Sequence, residues 1–505
     1  MQLHFRWHRP YLSLKALSKK HFMSQSPKKV HFIAIGGAVM HNLALALHQK
    51  GLQVTGSDDE IYDPAKSRLQ KAGILPEEIG WNADMITPDL DAIILGMHAR
   101  ADNPELLKAQ ELGLNIYSFP EYVFEQTKQK QRVVIAGSHG KTSITSIILH
   151  VLKYFNRNFD YLVGAQIEGF DLMVKLTNDA PTIIIEGDEY LSSALERKSK
   201  FLFYHPHIVL FSGIAWDHFN VFPQFEDYVR TFEALADGIP KAGSIIYDET
   251  DDIVKVIGAK DRADVNKVPY QAHPYKVKNG VTYLLTDNGE VPLKIFGEHN
   301  MKNLMGAKHI LERLAITDEM FYEAIQHFSG AAKRLEKLGS NAHTQMFRDF
   351  AHAPSKVEAT TKATKELYPE RELTACYELH TYSSLDKTFL PQYAEKLNAA
   401  DHAVIFYSPK TLEIKKREPI SPEEIKEAFG REDLEVFTDA EDLKNYLSSQ
   451  NWYNHNLLMM SSGTFGGTDL NLLATDLMAM PVEITKTAGE VKKEKRWKSI
   501  FKKKK

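Results

Sequence analysis

Apolar residues along this chain follow two alternating patterns. Short, mostly apolar and β-branched runs at 30–35, 92–96, 133–136, 182–186 and 208–212, together with the more polar 53–58, read as strands, while 40–50 and 144–154 carry apolar residues at helical spacing. Further strand-like runs fall at 345–350, 373–377, 403–407 and 457–460. Strand, helix and strand in turn is the pattern of parallel sheets with crossover helices, so the expected fold class is α/β throughout. The runs group into three blocks, with a polar link at 126–131 between the first two and a glycine- and polar-rich stretch at 329–341 before the third. The expected layout is three domains in series: a Rossmann-like domain over 28–126, a central P-loop ATPase-type parallel-sheet domain over 127–328, and a C-terminal Rossmann-like domain over 329–481. Basic segments flank them at 1–27 and 482–505.

Composition narrows the setting. At 505 residues the chain is too long for one ordinary core, which agrees with three domains. Lys plus Arg less Asp plus Glu is 62 − 66 = −4, so no global basic field recruits nucleic acid. The single cysteine, Cys376, rules out an internal disulfide, fits a reducing compartment, and reads as a small buried hydrophobe in a strand. No apolar run approaches the roughly 18 residues that a spanning helix requires. Residues 1–29 hold seven Lys or Arg and no acid but lack the apolar core of a secretory signal; an upstream start, with Met23 as the working one, accounts for them equally well. The tail 492–505 is basic and places Trp497, Ile500 and Phe501 at helical spacing. It reads as a charged solvated tail, with peripheral contact to an anionic membrane surface as the alternative.

The candidate chemistry begins where a strand runs into Gly137-Ser-His-Gly-Lys-Thr142. Backbone N–H groups of such a turn can face an anion, the following helix adds the positive end of its dipole, and Lys141 adds a full charge. Thr142 would offer its hydroxyl to a magnesium ion. The spacing is G-x-x-G-K-T, with Ile135 where the usual first glycine stands. In open α/β sheets ligands sit beyond the carboxyl ends of the strands. There the strand 182–186 ends in Glu186-Gly-Asp-Glu189, and the strand 208–212 is soon followed by Asp217-His218. Carboxylate, imidazole and hydroxyl beside a phosphate loop suit a magnesium–nucleotide site, with Glu186 the better ligand because magnesium favours oxygen. In the first block, Gly36-Gly37 after a strand, with Asp58 ending the next one, is a partial dinucleotide fingerprint. On that block alone a nicotinamide oxidoreductase is a rival reading, and a non-catalytic nucleotide-binding protein is a second.

Taken together, these motifs resemble the Mur ligases, ATP-dependent amide-forming enzymes of bacterial cell-wall synthesis, from about residue 30 to 480. The short phosphate loop, Glu186-Gly-Asp-Glu189 and Asp217-His218 are followed in family order by Gly297-Glu-His-Asn-Met-Lys-Asn303, Lys333-Arg334-Leu-Glu and Asp349-Phe-Ala-His352. Two branches of that family bind UDP-N-acetylmuramate. His31-Phe-Ile-Ala-Ile-Gly-Gly37 looks like the branch that adds L-alanine, whereas Ser57–Pro64, Glu189-Tyr190, Glu196–Phe201 and Asp217–Phe222 are more similar to the recycling branch, which attaches L-alanyl-γ-D-glutamyl-meso-diaminopimelate. The tripeptide is the expected acceptor on this balance, with L-alanine the alternative. Tyr377-Glu-Leu-His-Thr-Tyr-Ser-Ser384 departs from both branches, because no arginine stands there to meet an acceptor carboxylate.

The resemblance implies the cofactors ATP and Mg2+ and a bacterial, cytoplasmic protein, monomeric or weakly dimeric. It implies that ATP phosphorylates the lactyl carboxylate of UDP-N-acetylmuramate and that the acceptor amine then displaces phosphate. Lys141, Glu186 and His218 would carry the chemistry, with Thr142, Glu186 and His218 holding metal. ATP would lie against Gly137, Ser138, His139, Gly140, Lys141, Thr142, His299, Asn300, Asn303, Arg334 and Asp349, with Asp349 on the ribose. Gly36, Gly37, Ser57 and Asp58 would line the UDP pocket, and His380, Tyr382 and Ser383 the acceptor site.

Overall fold

The computed structural model describes residues 28–97, 99–193, 196, 198–216, 221–331 and 334–480. Four sheets follow one another along the chain. The first contains β1 (Lys29–Ile33), β2 (Gln53–Ser57), β3 (Ala92–Leu95) and β4 (Ile116–Ser118), all parallel in the order β2-β1-β3-β4. The second has seven strands: β5 (Gln131–Ala136), β6 (Asp160–Leu162), β7 (Val174–Lys175), β8 (Thr182–Glu186), β9 (Ile208–Phe211), β10 (Ser244–Asp248) and β11 (Asn266–Tyr270). Their order is β11-β10-β9-β5-β8-β6-β7, parallel except at the β7 edge. β12 (Tyr275–Lys278), β13 (Val281–Thr286) and β14 (Gly289–Leu293) form an antiparallel meander. The last sheet takes β15 (Glu336–Ser340), β16 (Gln345–Asp349), β17 (Glu372–Leu379), β18 (His402–Tyr407), β19 (Glu435–Phe437) and β20 (His455–Met460) in the order β15-β16-β20-β17-β18-β19, with β15 antiparallel.

The fold is therefore three α/β units, as expected, but it is not parallel throughout. The meander is a local product of its turns: Asn279 and Gly280 both have positive φ, the two-residue hairpin geometry that matches strand twist. The expected polar link at 126–131 is also not a free linker, because Thr127 ends the helix Phe119–Thr127 and Gln131 opens β5. The central strands β5, β8 and β9 are apolar and buried because helices cover both faces, as parallel sheets require.

One apolar core joins the first two units. It runs from Val30 and Phe32 through Leu43 and Leu47 to Val134, Val209 and Phe232. Asn42, buried in the helix Ala38–Gln49, adds a polar tie by accepting the Met173 N–H at 2.9 Å. The third unit has its own core on each face of its sheet; Cys376 lies buried in β17 among Met346, Val404 and Leu457, with its thiol pushed up by burial. No helix among the described residues is long and apolar enough to cross a membrane.

Candidate active site

The phosphate loop has the shape its sequence suggested. β5 ends at Ala136, the helix Lys141–Tyr154 begins after four intervening residues, and no acidic side chain occupies that helix's first turn. Gly137 and Gly140 have φ of +134° and +78°. A Cβ at Gly137 would stand 2.2 Å from Ser212 Oγ, and one at Gly140 2.3 Å from Asn303 Oδ1, so neither position accepts a side chain. The turn is fixed by Ser138 N–H donating to Gly213 O at 2.9 Å and by Ala215 N–H donating to Ser138 Oγ at 2.9 Å.

Behind the loop lies a buried charge network. Lys141 Nζ donates to Gly137 O at 2.5 Å and to Glu189 Oε2 at 2.7 Å; Glu189 is fully buried. Burial works against the Lys141 charge, but Glu189, backed by Asp188 and Glu186, outweighs it and holds the ammonium above the ordinary lysine range. Tyr228, also fully buried, hydrogen-bonds Ser138 Oγ at 2.8 Å and donates to Glu189 Oε1 at 3.1 Å. The lysine, its counter-charge and the loop are thus braced by one hydroxyl.

Beside it, Thr142 Oγ1 donates to Glu186 Oε1 at 2.8 Å, and Gly164 N–H donates to Glu186 Oε2 at 3.0 Å. A neighbouring hydroxyl and carboxylate at the mouth of a phosphate loop are hard oxygen donors of the kind magnesium prefers, so the residues fit that ion. Glu186 takes this place because β8 lies next to β5, with Glu186 in register with Ile135 at the carboxyl edge. Asp217 and His218 lie outside the described residues.

These groups open onto a cleft of about 490 Å³ between the central and third units. Ser138, His139, Gly140, Lys141, Thr142 and Glu186 form one wall; His299, Asn300 and Asn303, from the helix Glu298–Arg313, a second; Arg334 and Asp349 a third. Gly137 is behind the wall, packed on Ser212. Asn300 Nδ2 donates to Phe296 O at 2.8 Å. Asp349 is buried, and its two oxygens already accept the Leu335 and Ala351 N–H groups at 2.7 Å each, fastening the segment after Arg334 to the end of β16. Its burial raises the carboxyl pKa, against the opposing pull of Arg334. His139 and His299 are pushed down to about 4, chiefly by burial, so both rings are neutral.

The first-unit residues lie apart from this cleft, at the carboxyl edge of β1 and β2. Gly36 N–H donates to Asp58 Oδ2 at 2.7 Å and Asp59 N–H to Asp58 Oδ1 at 3.0 Å, while Gly37 caps the helix Ala38–Gln49. Burial holds the Asp58 carboxyl up at about 6. Ser57 turns inward: its hydroxyl donates to the buried Glu105, which also accepts Asn82 N–H at 2.7 Å. His380, Tyr382 and Ser383 follow β17 on the third sheet's carboxyl edge and do not line the cleft.

Several site residues escaped sequence reasoning. Glu189 stood in a recognised acidic motif but without a role; Tyr228 gave no signal, since its partners are 39 and 90 residues away. Lys302 and Lys356 also line the cleft; the first stands inside the 297–303 motif at a position given no role and the second four residues beyond His352, both on helical faces where lysine is ordinarily a solvated side chain.

Comparison with known proteins agrees with this geometry. Residues 29–131 match the catalytic domain of the Mur ligase family, and residues 135–311 the Mur ligase middle domain. The UDP-N-acetylmuramate–L-alanine ligase of Lactiplantibacillus plantarum is 30% identical over 386 residues, 74% of this chain and 83% of that protein. Its counterpart from Caldicellulosiruptor bescii is 30% identical over 395 residues, 75% of this chain and 83% of that protein. Among solved structures, a UDP-N-acetylmuramate–alanine ligase from Thermotoga maritima has a TM-score of 0.63 at 20% identity, covering 89% of this chain and 98% of that one. A murein peptide ligase from Psychrobacter arcticus has a TM-score of 0.58 at 22% identity, covering 90% and 100%. At those identities the structures bear on the fold, and the sequence relatives on the family. The chain belongs to the Mur ligase family and is an ATP-dependent amide-forming ligase of peptidoglycan synthesis.

Proposed function

We propose that this ligase activates the carboxylate of UDP-N-acetylmuramate as an acyl phosphate and joins it to the amine of L-alanine. The observation that carries the reading is the convergence of Lys141, Thr142, Glu186, Asn303 and Arg334 on one cleft. A carboxylate is a poor acyl donor because its charge repels nucleophiles and oxide is a bad leaving group; phosphorylation removes both obstacles. Lys141 binds the transferred phosphoryl group, and its hold on Glu189 and Gly137 O keeps the ammonium oriented toward the loop. Thr142 and Glu186 would hold Mg2+, with His218 as a further ligand, and the ion would supply positive charge to offset that on the phosphoryl oxygens. Asn300 and Asn303 lie along the adenine and Asp349 beside the ribose. Gly36, Gly37 and Asp58 face the UDP-sugar, whereas the Ser57 hydroxyl, engaged by Glu105, acts on the shape of that pocket.

L-alanine is favoured over the tripeptide because relatives at 30% identity over three quarters of the chain are L-alanine ligases. The tripeptide is the second reading, supported by the branch-specific segments at 57–64 and 189–190. ADP release with ATP and UDP-N-acetylmuramate, comparing the two acceptors, tests both. Release with L-alanine is expected; release with the tripeptide alone overturns the first reading in favour of the second, and release with neither overturns both.

A further inference from the structure

The third sheet leaves a concentration of positive charge that the nucleotide cleft does not use. β17 and β18 end side by side, with Leu379 in register with Tyr407, so the turn 380–386 and the segment 408–420 leave the same carboxyl edge. Tyr382, in the first of these, is 52% exposed. Two cations from the second flank its ring: Lys415 Nζ lies 4.4 Å from the ring centroid and Arg417 Cζ 5.7 Å. Lys416 between them has φ of +53°, the left-handed turn that follows the helix Pro409–Ile414, and it is exposed while its two neighbours are half-buried against the tyrosine.

Charge is not balanced at this point. Arg417 Nη1 donates to Asp386 Oδ2 at 2.9 Å, but Arg417 Nε is buried without a partner. Lys415 has no carboxylate partner among the described residues. Burial, and then the neighbouring Arg417, push the Lys415 pKa down. Two half-buried cations on one aromatic face, of which only Arg417 has a carboxylate, form an arrangement that an added anion stabilises, by pairing Lys415 and satisfying the Arg417 donors. β18 stands three strand spacings from β16, about 14 Å from the strand that carries Asp349, so this positive patch is lateral to the nucleotide rather than part of its pocket.

We propose that Lys415 and Arg417, held on the face of Tyr382, form the site that binds a carboxylate of the acceptor. The inference rests on the amide-ligase reading above and deepens it. The sequence placed no arginine in the turn 377–384 to meet an acceptor carboxylate, and the fold brings the missing charge from the next strand's loop. His380 and Ser383 are on the same turn as Tyr382, and the turn is locked by Ser384 Oγ, which accepts Thr381 N–H at 2.9 Å.

The test uses the full-length enzyme with the variants Lys415→Met and Arg417→Lys. KM for the acceptor and for ATP is measured with L-alanine and with L-alanyl-γ-D-glutamyl-meso-diaminopimelate. Lys415→Met breaks no ion pair and is expected to raise the acceptor KM about tenfold or more, with KM for ATP within about twofold. Arg417→Lys, which keeps the charge but loses the planar fork, is expected to raise the acceptor KM by a smaller factor. A response with L-alanine assigns the site to the α-carboxylate; one confined to the tripeptide assigns it to a carboxylate remote from the amine. Amidating the carboxylate in question should raise the wild-type KM and remove the difference between wild type and Lys415→Met. An unchanged acceptor KM in Lys415→Met with both acceptors, or a change that survives amidation, overturns the proposal alone. Absence of turnover with either acceptor in the wild type overturns the functional reading and the proposal with it.

Discussion

Replacing Glu189 with glutamine isolates what the buried network does for Lys141. Glu189 is fully buried and its Oε2 is 2.7 Å from Lys141 Nζ, while its Oε1 accepts the Tyr228 hydroxyl. Breaking a buried ion pair by removing one partner costs about 3–5 kcal/mol, because the remaining charge stays buried and uncompensated. Glutamine keeps the volume, an acceptor for Tyr228 and a weak one for the ammonium, and Asp188 and Glu186 still act on Lys141 from further away, so the loss should fall near about 3 kcal/mol. The triphosphate of ATP supplies the missing negative charge. The bound state should therefore suffer less than the free one, leaving a gap of about 1 kcal/mol under saturating ATP. The difference of about 2 kcal/mol corresponds to roughly thirtyfold tighter ATP binding in Glu189→Gln, since 1.4 kcal/mol is tenfold. Titration calorimetry of ATP binding and urea unfolding with and without ATP measure the two sides of this linkage. Turnover should fall although ATP binds more tightly, because the ammonium loses its orientation. An ATP affinity equal to wild type, together with unliganded stability within about 0.5 kcal/mol of it, would refute the role assigned to the pair.

Tyr228→Phe keeps the ring among Phe222, Phe225 and Phe232 but removes the hydroxyl that joins Ser138 to Glu189; about 1–3 kcal/mol of stability should be lost, read by urea unfolding, with a fall in turnover at saturating ATP. The neutral His139 ring should make the fold acid-sensitive. Its folded pKa of about 4 lies below the unfolded value of 6.5, so its contribution is complete above pH 6.5 and is lost as pH falls from there through 4. The slope is up to about 1.4 kcal/mol per pH unit for one proton, so urea unfolding of His139→Gln should depend less on pH across that window than wild type; equal dependence would refute it.

What the sequence made legible was chemistry written in consecutive residues. Strand, Gly137, Gly140, Lys141 and Thr142 are contiguous, and the rule that ligands sit at the carboxyl edge brought Glu186 to them across the β5–β8 pair. Contacts between distant segments were not legible. Nothing local to Tyr228 says that it reaches Ser138, and nothing local to Ser57 says that Glu105, 48 residues on, takes its hydroxyl away from the pocket. The meander was a different kind of omission, since Asn279-Gly280 between alternating residues is a strong hairpin signal that the α/β pattern overshadowed. The basic pair beside Tyr382 combines both difficulties: Lys415 and Arg417 read as surface charge until β18 is known to pair with β17.

The cleft gains its properties from being shared. Its walls come from the phosphate loop, the start of the helix Glu298–Arg313 and the segment from Arg334 to Glu366, and no one of them encloses the nucleotide space alone. Away from the cleft, the third unit meets the central one through Phe296 against Phe347, with ring centroids 5.4 Å apart, and through Tyr275 donating to Glu366 at 2.9 Å. On the cleft side the two units present opposed cations, Lys141 and Lys302 from one and Arg334 and Lys356 from the other. Lys141 is neutralised by Glu189, and Lys302 leans 3.4 Å from Asp248. An anion between the two units can engage cations of both, and a triphosphate carries that charge. On the proposed function, nucleotide binding and the docking of the third unit would be favourable for the same reason, which would link ATP binding to the edge proposed to take the acceptor.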